Sequence, residues 1–280
     1  MALSILNNIT SLAAQNQLSM TGASLKTTLL RLSSGSRINS GADDAAGLAI
    51  ADGLSANVAA LTQSARNATD GVGLLQVADG AMSQVTALLN RAVTLATEAS
   101  TGTVSDSQRT AIDAEFTAIK SEIDRIGSNT TYNGSAVFGG GNPVVYLSDG
   151  TTTGSSPITM TIGTLSSASV GFTGTPVDLT ADDLTTAAKA QTALADITTA
   201  ISNVAADRGN LGAVTNRLQS ASNVINNQVQ NLSNAEDGIR AADIGQEVAN
   251  LSKYNILQQT GITALQQSNQ IQQSVLKLLQ

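Results

Sequence analysis

The chain has 280 residues and a formal net charge of −7, with no histidine, cysteine or tryptophan. This composition excludes zinc sites built from histidine or cysteine, catalytic triads that need histidine, and disulfides. A chain this acidic and without a basic stretch is not expected to bind nucleic acid. Any metal site would have to be built from oxygen ligands alone. We expect no catalytic residues, no metal and no cofactor in this chain.

The amino-terminal segment has apolar residues at helical spacing and few charges. Its first basic residue is Lys26, so the positive start of a secretory signal is missing. Apolar runs are too short to cross a membrane, so we expect no membrane insertion and export by another route. The expected helix presents Leu3, Leu6, Ile9 and Ala13, and then Leu18, Leu25, Leu29 and Leu32.

The stretch RINSGADDAAGLAIADGL, residues 37–54, places Asp43 and Asp44 side by side. Adjacent acids can form a catalytic pair, a cation site or the start of a helix. Neighbouring helical residues point about 100° apart, so these two carboxylates are not expected to share one site. We interpret the stretch as a bend and a subunit contact, with Asn39, Ser40 or Asp43 capping the next helix.

A long apolar seam follows, in which apolar residues recur at alternating steps of three and four. It starts at Ala51 and ends at Ala96, which predicts a packed helix roughly 70 Å long. Asp79 and Thr86 interrupt the seam, but the neighbouring Ala78 and Val85 can replace them after a small rotation. Such a helix needs partners, because its glycines lower its intrinsic helicity.

A second seam begins after a capping box formed by Ser105 and Gln108. Gly127 is predicted to close this helix. Small aliphatic residues dominate, since aromatic residues make up only 2% of the chain. The seam residues are Ile112, Phe116, Ile119, Ile123 and Ile126.

The segment 128–180 is rich in Gly, Ser and Thr and contains all three prolines. The Asn133–Gly134 pair lies between β-forming residues, which predicts a hairpin. VVYLSDG and ITMTIGTL read as short strands, the second starting at Ile158. We expect a small, solvated β element that tolerates change.

Two further helices are predicted in the last third of the chain. A third seam from Leu194 to Leu232 is interrupted by Arg208, Thr215 and Ser222. A final apolar stripe lies opposite a face of glutamine, asparagine and serine, which suits a helix that other molecules cover. That stripe consists of Ile244, Val248, Leu251, Tyr254, Leu257, Ile262, Leu265, Ile271, Val275 and Leu278.

Three long stretches of this chain resemble bacterial flagellin. LSSGSRINSGADDAAGLAIADGL, residues 32–54, is similar to the amino-terminal signature of that family, and ALTQSARNATDG, residues 60–71, matches the stretch after it. ADIGQEVANLSKYNILQQTGITALQQSNQIQQSVLKLL, residues 242–279, resembles the terminal helix of the family. The middle of the chain carries no resemblance.

The resemblance implies a mainly α protein that assembles into the helical flagellar filament and serves swimming motility. It implies an inner-tube coiled coil from residues 1–44 and 240–280, a helical rod from 45–138 and 181–239, and a variable surface β insert at 139–180. Family members leave the cell through the flagellar type III pathway. The implied partners are further copies of the chain, an export chaperone at the carboxy-terminal helix, and the hook-junction and cap proteins of an extracellular filament.

The resemblance also implies a contact with the toll-like receptor for flagellin. The family has an arginine, a leucine and a glutamate where this chain has Arg91, Leu95 and Glu115. The flanking residues depart from the family pattern, with Asn90 and Ala92 among the smaller or uncharged replacements.

A set of subunit-interface residues follows from the two apolar ends and the adjacent charges. We expect the arginines and aspartates of this set to pair across neighbouring subunits with Glu236, Asp237, Arg240 and Asp243. The set comprises Leu3, Leu6, Ile9, Leu29, Arg31, Leu32, Arg37, Asp43, Asp44, Ile244, Val248, Leu251, Leu257, Leu265, Val275 and Leu278.

Two alternatives remain open from the residues alone. A flagellar junction protein would share the same ends but would not grow long fibres. A carboxylate-dependent glycosidase would need acids from the insert, but it would lack an aromatic platform for the sugar. Its candidate acids are Asp149, Asp178, Asp182 and Asp183.

Overall fold

The computed structural model describes residues 8–139, 141–149 and 156–278. Over these residues the chain forms five helices and two small antiparallel sheets, which confirms the expected mainly α architecture. The helices are α1 (Ile9–Ser34), α2 (Ala45–Ser100), α3 (Asp106–Asn129), α4 (Ala187–Arg240) and α5 (Ile244–Leu278). The strands are β1 (Thr131–Tyr132), β2 (Ser135–Ala136), β3 (Val144–Leu147) and β4 (Ser156–Thr159).

The chain divides into two units. Unit 1 consists of Met1–Ala56 and Asn231–Gln280, and unit 2 consists of Asn57–Gln230. Unit 1 therefore contains both chain ends, and unit 2 contains α3, the strands and most of α2 and α4. The division into inner tube, rod and surface insert stays a prediction.

In unit 1, α1 and α5 pack against each other in antiparallel orientation. The Thr10 and Ser268 hydroxyls lie 2.8 Å apart near one end. At the other end, the Arg31 guanidinium lies 3.5 Å from the Glu247 carboxylate. α1 and α5 thus form the terminal helix pair that the resemblance implied.

The adjacent acids Asp43 and Asp44 shape the turn that leads into α2. The Asp44 side chain accepts a 2.8 Å hydrogen bond from the backbone N–H of Gly47, so it caps the helix that begins at Ala45. Asp43 accepts hydrogen bonds from the backbone N–H groups of Asn39 and Ser40. The prediction of a structural turn is confirmed, but the capping residue is Asp44 and not one of the three that were expected.

Arg37 connects this turn to the end of α4 through two hydrogen bonds. Its backbone N–H donates to the carbonyl of Arg240 at 2.7 Å, and its guanidinium donates to the carbonyl of Ile239 at 2.9 Å. The last carbonyls of a helix carry partial negative charge and lack partners within the helix, so a guanidinium there is favourable. Arg37 thereby closes α4 within the chain.

Unit 2 contains an apolar core in which α2 takes the largest part. Ala78 and Val85 are fully buried, as expected if the seam rotates past Asp79 and Thr86. Asp79 itself pairs with Arg208, with Nε and Oδ1 at 2.7 Å. The polar interruptions of two seams therefore meet each other at the edge of the core.

The turn between α2 and α3 depends on Arg109, which is 6% exposed. Its guanidinium donates to the carbonyls of Ala99 and Thr101, at 2.8 and 2.9 Å, where α2 ends. The capping box of Ser105 and Gln108 is confirmed. The hydrogen bonds of Arg109 connect the start of α3 to the end of α2.

The prediction that Gly127 closes α3 is wrong, because the helix continues to Asn129. A Cβ at this position would overlap the backbone carbonyl of Leu165. Glycine stands here because another part of the chain passes close to the helix, which is a reason for glycine that local spacing does not reveal.

The predicted hairpin at Asn133–Gly134 is confirmed, with Tyr132 opposite Ser135. Both turn residues have positive φ, 48° and 77°, as a two-residue hairpin requires. A second hairpin pairs β3 with β4, where Val145 lies opposite Ile158. The second of these strands lies earlier than expected, because it ends at Thr159.

The expectation of a solvated insert is wrong for much of this segment. Several of its apolar side chains are buried, and helix carboxylates hold its backbone. Asp124 of α3 accepts from the N–H of Ser167 at 2.7 Å, and Asp207 of α4 accepts from the N–H of Phe172 at 2.8 Å. The buried side chains include Val145, Ile158, Met160, Ile162, Leu165, Val170 and Leu179.

Among the described residues, α2 has the length and composition that would allow it to cross a membrane. Composition explains this result, since the helix is rich in Ala, Leu and Val. Its buried side chains, among them Leu75 and Leu89, belong to the core of unit 2. The absence of membrane insertion stays a prediction.

Candidate functional site

The most unusual surface of the molecule lies on α1 and α5. Large apolar side chains are exposed along both helices, with Ile9 72% and Ile256 66% exposed. Isolated apolar residues on a surface are ordinary, but a series of them on paired helices marks a surface that associates. We call this group the outer apolar set: Ile9, Leu12, Met20, Leu29, Leu30, Ile244, Val248, Ile256, Leu257, Ile262 and Ile271.

The contact between α1 and α5 uses a different set of side chains. Thr21 and Thr28 are the two buried residues of α1. On α5, Glu247 is buried and Leu251 and Leu265 are half-buried. Pairing of the two helices within one chain thus covers these side chains and leaves the outer apolar set exposed.

Both helices are nearly free of charge. From Ile9 to Ser34 the charged residues are Lys26 and Arg31, and α5 contains Glu247, Lys253 and Lys277. Charged side chains are the usual means of keeping exposed helices apart. Their scarcity here allows several copies to pack their helices together without burying many charges.

The apolar members of the predicted interface fall into three groups. Ile9, Leu29, Ile244, Val248 and Leu257 belong to the outer apolar set. Leu32, Leu251 and Leu265 are half-buried. Leu3 and Leu6, and the side chains of Val275 and Leu278, lie outside the described residues.

The charged members of the predicted interface already have partners within the chain. Arg31 pairs with Glu247, and Arg37 donates to the carbonyl of Ile239. The Ser40 hydroxyl and the backbone N–H of Asn39 donate to Asp43 and hold the pKa of that carboxyl below its usual value. Pairing of these residues across subunits stays a prediction, and it would have to add to these contacts or replace them.

Arg240, Glu236 and Asp52 form a group near the start of α5. The Arg240 guanidinium lies 3.4 Å from Glu236 and 3.5 Å from Asp52. The Asp243 carboxylate accepts a hydrogen bond from the backbone N–H of Gln246. The group is a joint between helices, in which each charge is close to an opposite charge or to a helix end.

The three residues of the expected receptor contact lie where α2 faces α3. The Arg91 guanidinium donates to both Glu115 oxygens, at 2.7 and 3.0 Å. This hydrogen bonding raises the pKa of Arg91 and lowers the pKa of Glu115. Leu95, in contrast, is 2% exposed, so its side chain faces the core. A receptor on this surface would meet the ion pair first.

Two of the acids considered for a glycosidase, Asp178 and Asp183, have local partners. Asp178 accepts from the N–H and hydroxyl of Thr180. Asp183 pairs with Lys189, and this ion pair together with the Thr185 hydroxyl lowers the pKa of Asp183 to about 2. Burial, followed by the nearby Asp196, raises the pKa of Asp182. Asp149 is half-buried near the end of β3.

No group of three or more potential metal-ligating side chains occurs within residues 8–139, 141–149 and 156–278. Turn formation and ion pairing account for Asp178 and Asp183 among the acids named above. The described residues thus offer no cluster of carboxylates that could hold a metal ion.

Two important charged residues were missed from the sequence. Glu247 is the only acidic residue of α5, a signal that could have been noticed. Asp207 is fully buried and accepts hydrogen bonds from the backbone N–H groups of Phe172 and Thr173. Its position beside Arg208 hid it, because either residue could have faced the core.

Comparison with known families agrees with the helical arrangement. The profile of the bacterial flagellin N-terminal helical region matches residues 5–142. The profile of the C-terminal helical region of the same family matches residues 194–279. The two matches cover α1, α2 and α3 at one end, and most of α4 with α5 at the other.

Individual relatives carry the same name. The flagellin of Escherichia coli O127:H6 is 36% identical over 191 residues, which cover 67% of this chain and 34% of that protein. The phase 1 flagellin of Salmonella naestved is 34% identical over 196 residues, covering 68% and 38%. This chain thus spans a little over a third of the length of these relatives.

Among solved structures, the flagellin of Bacillus cereus aligns with a TM-score of 0.48 and 26% identity, over 61% of this chain and 94% of that one. The family assignment depends on the two profiles and the curated relatives. Since the profiles together span most of the chain, and since the helices they describe are those observed, this chain belongs to the bacterial flagellin family.

Proposed function

We propose that the chain is the structural subunit of a bacterial flagellar filament and polymerises into a helical fibre that acts as a propeller in swimming. The observation that carries this proposal is the outer apolar set, exposed on two nearly uncharged helices. Burying a Leu or Ile side chain contributes about 1.5–3 kcal/mol. Contacts between non-equivalent surfaces that do not close into a ring produce an open helical polymer.

We propose that the predicted interface residues on the two terminal helices make the contacts between subunits. The helix pair would then form the inner tube, and the segment in the middle of the chain would face outward. The same exposed set supports a carboxy-terminal export chaperone, because a secreted monomer with such a surface needs cover before assembly.

Seeded polymerisation tests the proposal. Full-length protein is added to short fibre seeds, beside a version that lacks residues 241–280. The full-length chain is expected to lengthen the seeds, and the shortened chain is expected to remain monomeric with unit 2 folded by circular dichroism. Fibre growth by the shortened chain would contradict the proposal.

A point variant separates the exposed surface from the fold. Leu257 is 41% exposed in the outer apolar set, so Leu257→Asp should stop fibre growth while leaving the monomer helical. Leu257→Met is the matched control, since it keeps an apolar side chain of similar volume at the same place. Equal growth by both variants would exclude this residue from the contact.

The same assay separates a filament subunit from a junction protein. A junction protein adds to a fibre end and stops, whereas a filament subunit lengthens the fibre in proportion to the protein supplied. We infer that the chain has no catalytic role, that its place is the extracellular filament, and that it meets the hook-junction and cap proteins at the filament ends.

Recognition by the toll-like receptor for flagellin is a separate proposal. It would use the exposed Arg91–Glu115 ion pair and not the buried Leu95. Purified monomer with Glu115→Gln in a receptor reporter assay tests it. A signal equal to that of the unaltered monomer would exclude the ion pair as the contact.

A further inference from the structure

The contact between α1 and α5 contains a buried charged residue, Glu247. Glu247 is 8% exposed, and it is the only side chain of α5 that is buried among those described. Its partner is Arg31 of α1, at 3.5 Å, a long distance for a hydrogen-bonded ion pair. The best-covered position of α5 thus holds its only acid.

The ion pair is incompletely satisfied. Arg31 Nε and Glu247 Oε2 are both buried and have no hydrogen-bond partner. A buried ion pair of this quality is weak evidence for stability, because the loss of hydration offsets much of the attraction between the charges. A leucine pair would hold two helices together at least as well, so another reason is needed for charges at this position.

The two helices contact each other through rows of residues that repeat every seven positions. Thr10 faces Ser268, and Arg31 faces Glu247. Three heptads separate these two contacts along each helix. Leu18 packs against Gly261 in the same alignment. The half-buried Leu18, Leu25 and Leu32 of α1 repeat every seven residues, so a shift of one heptad brings one leucine to the place of another. Apolar packing alone therefore discriminates poorly between alignments that differ by one heptad. By spacing, the aligned pairs are Thr10 with Ser268, Gln17 with Gly261, Ser24 with Tyr254, and Arg31 with Glu247.

A shift of one heptad would separate the two charges. In one direction, Glu247 would lie opposite Ser24, and Arg31 would lie opposite Arg240. In the other direction, Arg31 would lie opposite Tyr254, and Glu247 would pass beyond the end of α1. Lys26 cannot replace Arg31, because it lies five positions earlier on another, exposed face of α1. Both shifts therefore leave a carboxylate without a cation.

We propose that the Arg31–Glu247 pair determines the register in which the two terminal helices associate. The pair acts by making other alignments unfavourable, as a single polar contact does in a coiled coil. The proposal concerns contacts within one chain and does not require the proposed function. In a fibre, the same register would fix which members of the outer apolar set stand side by side.

Engineered cysteines can report the register, since the chain contains none. Thr10→Cys with Ser268→Cys reports the native alignment, because the two hydroxyls lie 2.8 Å apart. Gln17→Cys with Ser268→Cys reports an alignment shifted by one heptad. Each pair is introduced into the full-length chain, oxidised mildly, and quantified by gel mobility as monomer and in seeded fibres.

The unaltered charges should give the native cross-link and little of the shifted one. Glu247→Gln should raise the yield of the shifted cross-link at least tenfold. The exchanged pair, Arg31→Glu with Glu247→Arg, should restore the native cross-link. Lys26→Gln is the matched control, which removes one exposed positive charge from the same helix and should change neither yield.

The proposal is overturned if Glu247→Gln leaves both yields unchanged, because packing alone would then set the register. If Glu247→Gln abolishes both cross-links, the exchanged pair decides: restoration supports the proposal and continued loss overturns it. The cross-link yields measured in the monomer do not depend on fibre growth. Failure of polymerisation would therefore count only against the proposed function.

Discussion

Unit 1 and unit 2 distribute their apolar residues in opposite ways. In unit 2, large residues from several elements are fully buried, such as Leu89, Phe116 and Ile197. In unit 1, the buried apolar residues among those described are Ile38 and Ala51, and most of the outer apolar set is exposed by about half or more. Unit 2 buries its core within one chain, whereas the described part of unit 1 leaves many large apolar side chains exposed.

The difference predicts that variants in the two units will have different effects. Removing an apolar group from unit 2 should lower the stability of the isolated chain, because a cavity remains. Removing one from the surface of unit 1 should leave the isolated chain almost unchanged and weaken the contact between chains. Variants in both units test this difference.

The largest expected effect on stability is that of Phe116→Ala. Phe116 is fully buried in unit 2, so its loss should lower the free energy of unfolding by about 3–5 kcal/mol. Ile256→Ala, at a residue 66% exposed in unit 1, should change it by less than about 0.5 kcal/mol but slow fibre growth. Chemical denaturation and seeded growth measure the two effects. Similar losses of stability in both variants would break the comparison.

Asp207→Ala should have the next largest effect. The substitution leaves the backbone N–H groups of Phe172 and Thr173 without their acceptor, and each unsatisfied group costs about 1–3 kcal/mol. Asp207→Asn keeps one acceptor oxygen and should lose less. Hydrogen exchange at these two amides checks the mechanism, since it should accelerate in both variants. Unaltered protection in Asp207→Ala would show that the carboxylate does not hold the segment.

Glycine substitutions should have opposite signs in the two units. Gly127→Ala should destabilise unit 2 by about 1–3 kcal/mol, because the methyl group would overlap the carbonyl of Leu165. Gly22→Ala meets nothing within 4 Å and should stabilise α1 by about 1 kcal/mol. Thermal unfolding followed by circular dichroism measures both. Destabilisation by Gly22→Ala would mean that the surface of α1 is already covered.

The smallest effects should depend on pH. The pKa of Asp183 is about 2 in the folded chain against an ordinary 3.8, so its carboxylate stabilises the fold above pH 3.8 and loses this contribution as the pH falls towards 2. Asp183→Asn should therefore be slightly less stable than the parent at pH 7 and equal to it near pH 2. The pair with Lys189 is partly exposed, so the difference should stay below about 1 kcal/mol.

Asp182 should behave in the opposite sense. Burial raises its pKa, so the charged form is disfavoured in the folded chain at neutral pH. Asp182→Asn should be more stable than the parent at pH 7, and the difference should vanish below pH 3.8. Melting temperatures at pH 3 and pH 7 measure this. A lower melting temperature at pH 7 would show that the carboxylate has a favourable partner.

The sequence by itself determined the elements that depend on local spacing. The long seams, the capping box at Ser105, the hairpin at Asn133–Gly134 and the apolar terminal helices could all be predicted. Periodicity, caps and turn residues act over a few positions, so they can be read without knowledge of the fold. The apolar character of Ile9 and Leu257 was visible for the same reason.

Only the tertiary structure decided which side chains meet. The Asp79–Arg208 ion pair and the contact of Leu165 with Gly127 join residues far apart in the chain. The hydrogen bond from Arg109 to the end of α2 constrains the turn between α2 and α3. A heptad pattern gives the buried face of a helix to within about one residue, which is too coarse to separate Asp207 from Arg208. The pairing of Arg31 with Glu247 within the chain was not among the predictions, since a charge selects its counterpart only after two helices have been aligned.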